Sequence, residues 1–238
     1  MNSITHLIIC VTQIIIVFSE LPVPKCKLSD SNCIRSSAQG AIPVFTAGMP
    51  DIGTEPLDVM HVDNIKVDLA GLKLVVNDIS IKGLRKANLT KTDVAMEKKQ
   101  IAVAWDTDIF MKGHYKASGR LLVLPITGDG DFTLKLKKLH VDMTIPFTMA
   151  KTSDGKDMID LKSYKYKYEV MDGANFQLTN LFNGNKVLSD TMLRFMNDNW
   201  KIISVEFGGP MLEKPNKKIY ESIKTYLRSQ PLENIAEY

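Results

Sequence analysis

The chain has 238 residues, 30 of them Lys or Arg against 27 Asp or Glu, for a formal charge of +3, and 45% of it is hydrophobic. So balanced a charge, with no basic block interleaved with aromatics, argues against nucleic acid as a main partner. The apolar share is that of a globular protein with a real core, and no internal repeat or low-complexity linker interrupts it.

Residues 4–18 are almost entirely apolar, broken by Thr5, His6, Cys10, Thr12 and Gln13. That run is shorter than the roughly 20 residues a spanning helix needs. Val17-Phe18-Ser19 then places small or apolar residues before a cleavage point after Ser19. Residues 1–19 therefore read as a secretory signal peptide, with an uncleaved anchor as the alternative, since no Lys or Arg precedes the run. Nothing later approaches a spanning length, so residues 20–238 are expected to be one extracellular domain without stable membrane insertion. Cys10 leaves with the signal; Cys26 and Cys33 remain, an even pair in an oxidising compartment and an expected disulfide. Closing so small a loop contributes only about 2 kcal/mol, enough to pin the N-terminal segment. Asn88-Leu89-Thr90 is a glycosylation sequon of a kind that also arises by chance.

In chain order, the first predicted element is a short helix within residues 30–45, limited by Pro43. From about residue 59 to residue 182 apolar positions alternate with period two, the pattern of half-buried antiparallel strands. Ile101, Val103 and Trp105 share one face; Ile109, Met111 and Tyr115 share another, opposite Lys112, His114 and Lys116. Phe132, Leu134 and Leu136 alternate with Thr133, Lys135 and Lys137. Beyond Lys138 the apolar set resumes one residue out of phase, at Leu139, Val141, Met143, Ile145 and Phe147. Such a slip predicts a β-bulge, which bends a strand and raises its twist. A similar slip separates Ile159 and Leu161 from Tyr164, Tyr166 and Tyr168. Turns are predicted at Gly128-Asp129-Gly130 and at Ser153-Asp154-Gly155-Lys156.

The period then changes. Over residues 186–207, Leu188, Met192, Phe195, Met196, Ile202 and Ile203 recur at helical spacing, with Ser189 or Asp190 as candidate caps. Gly208-Gly209-Pro210 and Pro215 predict breaks, and a further helix over about residues 217–229 carries Ile219, Ile223 and Leu227 on one face. The predicted class is α+β, a strongly curved antiparallel sheet wrapped around a long C-terminal helix. A sheet too curved to fill its own concavity leaves an apolar cavity suited to a lipid.

Catalytic motifs are missing: no Gly-x-Ser-x-Gly, His-Glu-x-x-His, Cys-x-x-Cys or phosphate-binding glycine loop occurs. His61, His114 and His140 are far apart, and the latter two fall on outward faces. Asp129-Gly130-Asp131 lacks the Glu that would complete a calcium loop. No catalysis, cofactor or metal is predicted. The phenols of Tyr164, Tyr166 and Tyr168 either offer polar handles to a ligand or form a face covered by a neighbouring element. Met192 and Met196 suit a lipid-shaped space but equally suit ordinary packing.

Several phrases occur together in a telling order: Cys26 and Cys33, Gly48-Met49-Pro50-Asp51-Ile52-Gly53, Glu55-Pro56-Leu57-Asp58 and Gly128-Asp129-Gly130-Asp131-Phe132, then Leu181-Phe182-Asn183-Gly184-Asn185-Lys186 and Phe195-Met196-Asn197-Asp198-Asn199-Trp200. The set resembles the insect haemolymph juvenile hormone binding protein and takeout family over essentially the whole chain after residue 19. That resemblance implies a secreted carrier of the tubular lipid-binding (TULIP-like) class, holding juvenile hormone or another elongated apolar molecule. It matches the family's N-terminal disulfide to Cys26 and Cys33, and the lack of a second pair points to the takeout branch. Gly208-Gly209 and Pro215 depart from the regular family helix, which would shorten or open one end of the cavity. No motif carries over ligand contacts, so strand phase and helix stripe alone supply the lining candidates: Trp105, Tyr115, Phe132, Leu134, Phe147, Tyr164, Tyr166, Met192 and Phe195. The expected partner is a small hydrophobic ligand. The competing reading is a secreted interaction protein, with a filled interior and a surface receptor.

Overall fold

The structure, a computed structural model, describes Leu21 and residues 24–237; the proposed signal peptide and Cys10 lie outside the described residues. Its elements are β1 (Cys26–Lys27), α1 (Ser31–Ala47), β2 (Met60–Leu69), β3 (Leu72–Lys82), β4 (Asn88–Ala95), β5 (Gln100–Leu121), β6 (Leu124–Lys151), β7 (Asp157–Leu161), β8 (Lys165–Leu178), α2 (Lys186–Asp198), α3 (Trp200–Ser229), α4 (Leu232–Ile235) and β9 (Ala236–Glu237).

The period-two stretches become a seven-stranded sheet built on β5 and β6. These two pair antiparallel from the Leu121–Leu124 hairpin end out to Gln100 and Pro146. On its other edge β5 is joined by β3 along residues 110–119 and by β4 along residues 100–106. The free edge of β6 is taken by β8 along residues 132–144 and by β7 along residues 147–151. At 28 residues β6 would run about 90 Å if straight, far beyond the width of a compact domain. It bends where the phase slip placed the bend. Lys138 is the extra residue, in the left-handed region at φ +50, with register shifts toward both neighbours. The Asp108 side chain accepts its amide hydrogen at 2.8 Å, so the orphaned donor is satisfied.

The second slip has a different cause. Ile159 and Leu161 lie on β7, the tyrosines follow on or just before β8, and the chain changes strands instead of bulging. The change falls beside Pro146. Its carbonyl accepts from Lys162 N at 3.0 Å, and the N–H that proline lacks would point to the edge where one partner strand ends and the next begins.

Two turn predictions part company. Thr152, Asp154 and Lys156 close the β6–β7 hairpin as expected, the Thr152 hydroxyl accepting from Lys156 N at 3.0 Å. Gly128-Asp129-Gly130, by contrast, is strand, paired with residues 115–117 of β5. Glycine is needed there for space, not for a turn. A Cβ on Gly128 would lie 2.4 Å from the Tyr115 hydroxyl, and one on Gly130 would lie 2.5 Å from the Thr179 carbonyl oxygen.

The helices correct three expectations. α1 runs past Pro43 to Ala47, with Asp30 rather than a residue of the helix accepting from Cys33 N at 3.0 Å; Pro43 faces solvent, where water can take the carbonyl it frees. The cap of α2 is Asn185, not Ser189 or Asp190. The stripe read as one helix over residues 186–207 breaks at Asn199 (φ −106), while α3 continues for 30 residues, about 45 Å, through Gly208-Gly209-Pro210 and Pro215. β8 supports it: Tyr168 donates to the carbonyls of Ser204 (3.1 Å) and Val205 (3.3 Å), and Tyr166 to that of Gly209 (3.3 Å). Phenols from the sheet thus occupy helix carbonyls around the residue that cannot donate. Pro210 and Pro215 stand inside one uninterrupted helix.

α3 fills the concave face against β2, β7 and β8. Met60, Ile79, Met143 and Ile145 between them are fully buried. At one end the disulfide Cys26–Cys33 ties β1 to α1, and β1 pairs in parallel with β9, so both ends of the described chain meet there.

Gly130→Ala should therefore destabilise by about 1–3 kcal/mol, because the new methyl meets backbone that cannot swing aside. Gly40→Ala in α1, where nothing lies within 4 Å of the added Cβ, should instead gain up to about 1 kcal/mol of helix propensity. Urea unfolding of the two variants measures both signs.

Candidate ligand cavities

Two apolar cavities lie along the inner face of α3. The larger, about 310 Å³, is at the disulfide end and is walled by α1, β4, the first part of β5, the C-terminal half of α3, and α4. Ala38, Ile42 and Phe45 face it from α1, Ile101, Val103 and Trp105 from β5, and Ile219, Ile223 and Leu227 from α3. The smaller, about 120 Å³, is at the other end, between β3, β5, β6, β8 and the N-terminal half of α3. Tyr115, Phe132, Leu134, Phe176, Phe207 and Met211 are among its walls.

Among the described residues no charged side chain lines either space, and the hydroxyls present are mostly committed to backbone. In the larger cavity Ser37 donates to Pro24 O (2.6 Å), Thr46 to Ile42 O (2.7 Å) and Thr92 to Lys91 O (2.8 Å). In the smaller one Tyr115 donates to Thr179 O at 2.8 Å, and Tyr168 to α3 as described. Burial pushes the Tyr115 phenol up to about 12. Such walls hold a ligand by removing its apolar surface from water, at about 25 cal/mol per Å². A third hollow, about 460 Å³, is lined by Glu55, Asp63, Lys214, Lys217, Lys218 and Glu221 and is a solvated groove.

Of the nine lining candidates, Trp105 borders the larger cavity and Tyr115, Phe132 and Leu134 border the smaller. The remaining five line neither. Phe147 and Met192 are buried among core side chains. Phe195 packs half-buried against that core. Tyr164 stacks on Tyr220 with ring centroids 4.6 Å apart, and Tyr166 reaches α3. The tyrosine face is therefore covered by a helix, the second of its two readings. The inner face of α1 and the Ile219, Ile223, Leu227 stripe were not among the candidates, although that stripe is plain in the sequence. Asn88 stands exposed at the head of β4.

The groups with displaced pKa values are phenols raised by burial and members of surface ion pairs. His114 is exposed and raised because Asp129 and Asp131 accept from its two ring nitrogens at 2.8 and 3.3 Å. None of these is a buried acid or base poised near neutrality for proton transfer.

Residues 5–237 match the family described as haemolymph juvenile hormone binding protein (JHBP). The chain belongs to that family. It is 46% identical to Epiphyas postvittana Takeout 1, whose crystal structure superposes with a TM-score of 0.89 over 91% of this chain and 100% of that one. The curled sheet on a long helix is thus the takeout fold. The circadian clock-controlled protein daywake of Drosophila melanogaster is 26% identical over 214 residues, 85% of this chain and 82% of the relative. A Schistocerca gregaria protein, whose name suggests beta-carotene binding, is 25% identical over 137 residues, 55% of this chain and 53% of its own.

Just outside the larger cavity an ion cluster holds its wall together. Ile159 and Leu227 line the space, and their neighbours Asp160 and Arg228 pair at 2.6 Å, with Lys162 on the second carboxylate oxygen at 2.6 Å. Hydrogen bonds from Arg228 and then Lys162 hold the Asp160 carboxyl down, from 3.8 to about 2. A depressed carboxyl stabilises the fold above its unfolded pKa and stops doing so as pH falls toward the folded value. Stability should drop between about pH 4 and pH 2, and Asp160→Asn should flatten that drop. At neutral pH the variant should lose about 1–2 kcal/mol, a discounted figure because both cations are half exposed. Urea midpoints across pH give both readings.

Proposed function

We propose that the protein is a secreted carrier for a small elongated hydrophobic molecule, a terpenoid such as juvenile hormone or a fatty-acid-like lipid, held inside residues 20–238 acting as one domain. The observation that carries this reading is the charge-free cavity of about 310 Å³ beside α3, within the size range of small-molecule sites. Membership of a family described by hormone binding, and likeness to a relative whose name suggests a carotenoid, support the same ligand class. The apolar leader supports secretion and the family description supports haemolymph as its compartment; a glycan on Asn88 would sit at the exposed head of β4. No helix among the described residues is long and apolar enough to cross a membrane. In this reading the protein works by binding, without catalytic chemistry, cofactor or metal.

A second reading, an interaction protein acting through a surface receptor, draws on an exposed apolar set on α2 and α3: Val187, Leu188, Ile202 and Val205.

The test is displacement of a fluorescent apolar probe from lipid-stripped protein by juvenile hormone and by fatty acids. A carrier binds the probe, and Ile223→Trp, which fills the larger cavity, should weaken binding at least about tenfold, a shift of 1.4 kcal/mol, without unfolding the chain. Absence of probe binding in the wild type would favour the interaction protein.

A further inference from the structure

A polar group in the wall of the larger cavity is left without a partner. Trp105 lines that cavity and is only 5% exposed, and among the described residues no group accepts from its indole Nε1–H. A buried tryptophan N–H ordinarily finds an acceptor. Nor is this nitrogen one of the buried polar atoms that are both unpaired and closed off from space. It therefore borders open space, and the space that Trp105 lines is the cavity. The hydroxyls of Ser37, Thr46 and Thr92 in the same wall already donate to backbone carbonyls, so the indole N–H is the donor they leave available.

Its position is specific. On β5, Ile101 and Val103 line the cavity nearer the start of the strand, and Trp105 is the last lining residue toward the middle of the molecule. Behind it the layer is closed. Thr107 donates to Gly83 O at 2.8 Å, and Ile109 and Val141, the latter opposite Trp105 on β6, are buried and line neither cavity. In the other direction the lining is apolar as far as Leu28 and Ile34 at the disulfide end. Arg228, next to the lining residue Leu227, is held by Asp160 at 2.6 Å.

We infer that the Trp105 indole N–H donates a hydrogen bond to the ligand, taking a carbonyl or ether oxygen at the inner end of the larger cavity while the hydrocarbon part extends toward the disulfide. This rests on the carrier reading and narrows it to neutral oxygenated lipids with the acceptor near one end, such as an ester or a methyl ketone. A plain hydrocarbon leaves the N–H unpaired, and a site built to hydrogen-bond discriminates against it. A free fatty acid brings an acceptor, but its carboxylate would leave water for a space walled by no charged side chain among the described residues. One N–H does not offset that cost.

The experiment displaces an apolar fluorescent probe from lipid-stripped protein with three compounds of equal length: a fatty acid methyl ester, the alkane and the free fatty acid. At neutral pH the wild type should take the ester about tenfold more tightly than the alkane, the worth of one buried hydrogen bond, and more tightly than the acid. Trp105→Phe keeps a ring in the wall and removes the N–H; it should bring the ester-to-alkane ratio close to one, whatever it does to the affinity for both. A second measurement needs no change at Trp105. The chain has 2 tryptophans, so in a Trp200→Phe background Trp105 alone emits, and its emission should lie at longer wavelength with ester bound than with alkane bound. Equal ester and alkane affinity in the wild type, a preference that survives Trp105→Phe, identical emission with the two ligands, or tighter binding of the acid than of its ester would each overturn the assignment. Failure of every compound to displace the probe would instead count against the carrier reading itself.

Discussion

Everything in this molecule follows from the pairing of β5 with β6. Strands of 22 and 28 residues, hydrogen-bonded along nearly their whole length, accumulate twist that no flat sheet tolerates. They coil, the bulge at Lys138 sharpens the coil midway, and the shorter strands divide into two sets along the outer edges. The result is a trough with two ends, each with a different set of flanking strands. An element long enough to run the length of such a trough is required to keep its inner face dry, and α3 is that element. Its length is not decoration; a helix that stopped at Pro210 would leave half of the sheet's apolar face in water.

A single helix of nearly constant diameter cannot fill a trough whose walls curve and splay. Side chains close the middle, where Met60, Ile79, Val141 and Met143 are fully buried, and space remains toward each end. The chemistry of that space is uniform, because strand alternation sends one kind of residue inward. Among the described residues charges are absent from both linings, and most hydroxyls are turned back to backbone carbonyls. Affinity in such cavities comes from shape and apolar area, which many lipids share.

How far the sequence disclosed this depended on the distance over which each cause acts. The alternation of Phe132, Leu134 and Leu136, its reversal after Lys138, and the change to helical spacing at residue 186 are local, and the strands, the bulge and the helices were legible from them. The rule that a proline breaks a helix is also local, whereas the phenols that take up helix carbonyls around Pro210 come from Tyr166 and Tyr168, some 40 residues earlier. Gly128-Asp129-Gly130 has the composition of a turn; its glycines answer to Tyr115 and Thr179, which only the folded chain brings near. The cavity was legible as a consequence of curvature, but its walls were not. Strand phase gives the inward face without saying which stretch of that face meets a helix and which meets empty space. Phe147 and Trp105 are both inward, and one packs while the other borders a cavity.

The two ends of the trough differ in how they are closed, and this bears on access. The smaller cavity is bounded by the hairpin halves of β5 and β6, tied into long ladders, and by the N-terminal half of α3. The larger is closed by the chain's own extremities: α1, held by a seven-residue disulfide loop, and a two-residue parallel pair between β1 and β9, with Lys25 Nζ on Glu233 O at 2.7 Å and Leu28 N on Glu237 O at 3.1 Å. Opening a wall costs in proportion to the contacts it breaks, and short terminal elements are where native proteins open most readily. The disulfide joins β1 to α1. Beside the same cavity the Asp160–Arg228 cluster fixes β7 to the last turns of α3, and α4 packs against β7. α1 is tied to the sheet as well, Gln39 donating to Ala87 O at 2.9 Å and accepting from Leu89 N at 2.7 Å, and Ser31 donating to Asp93 at 2.8 Å.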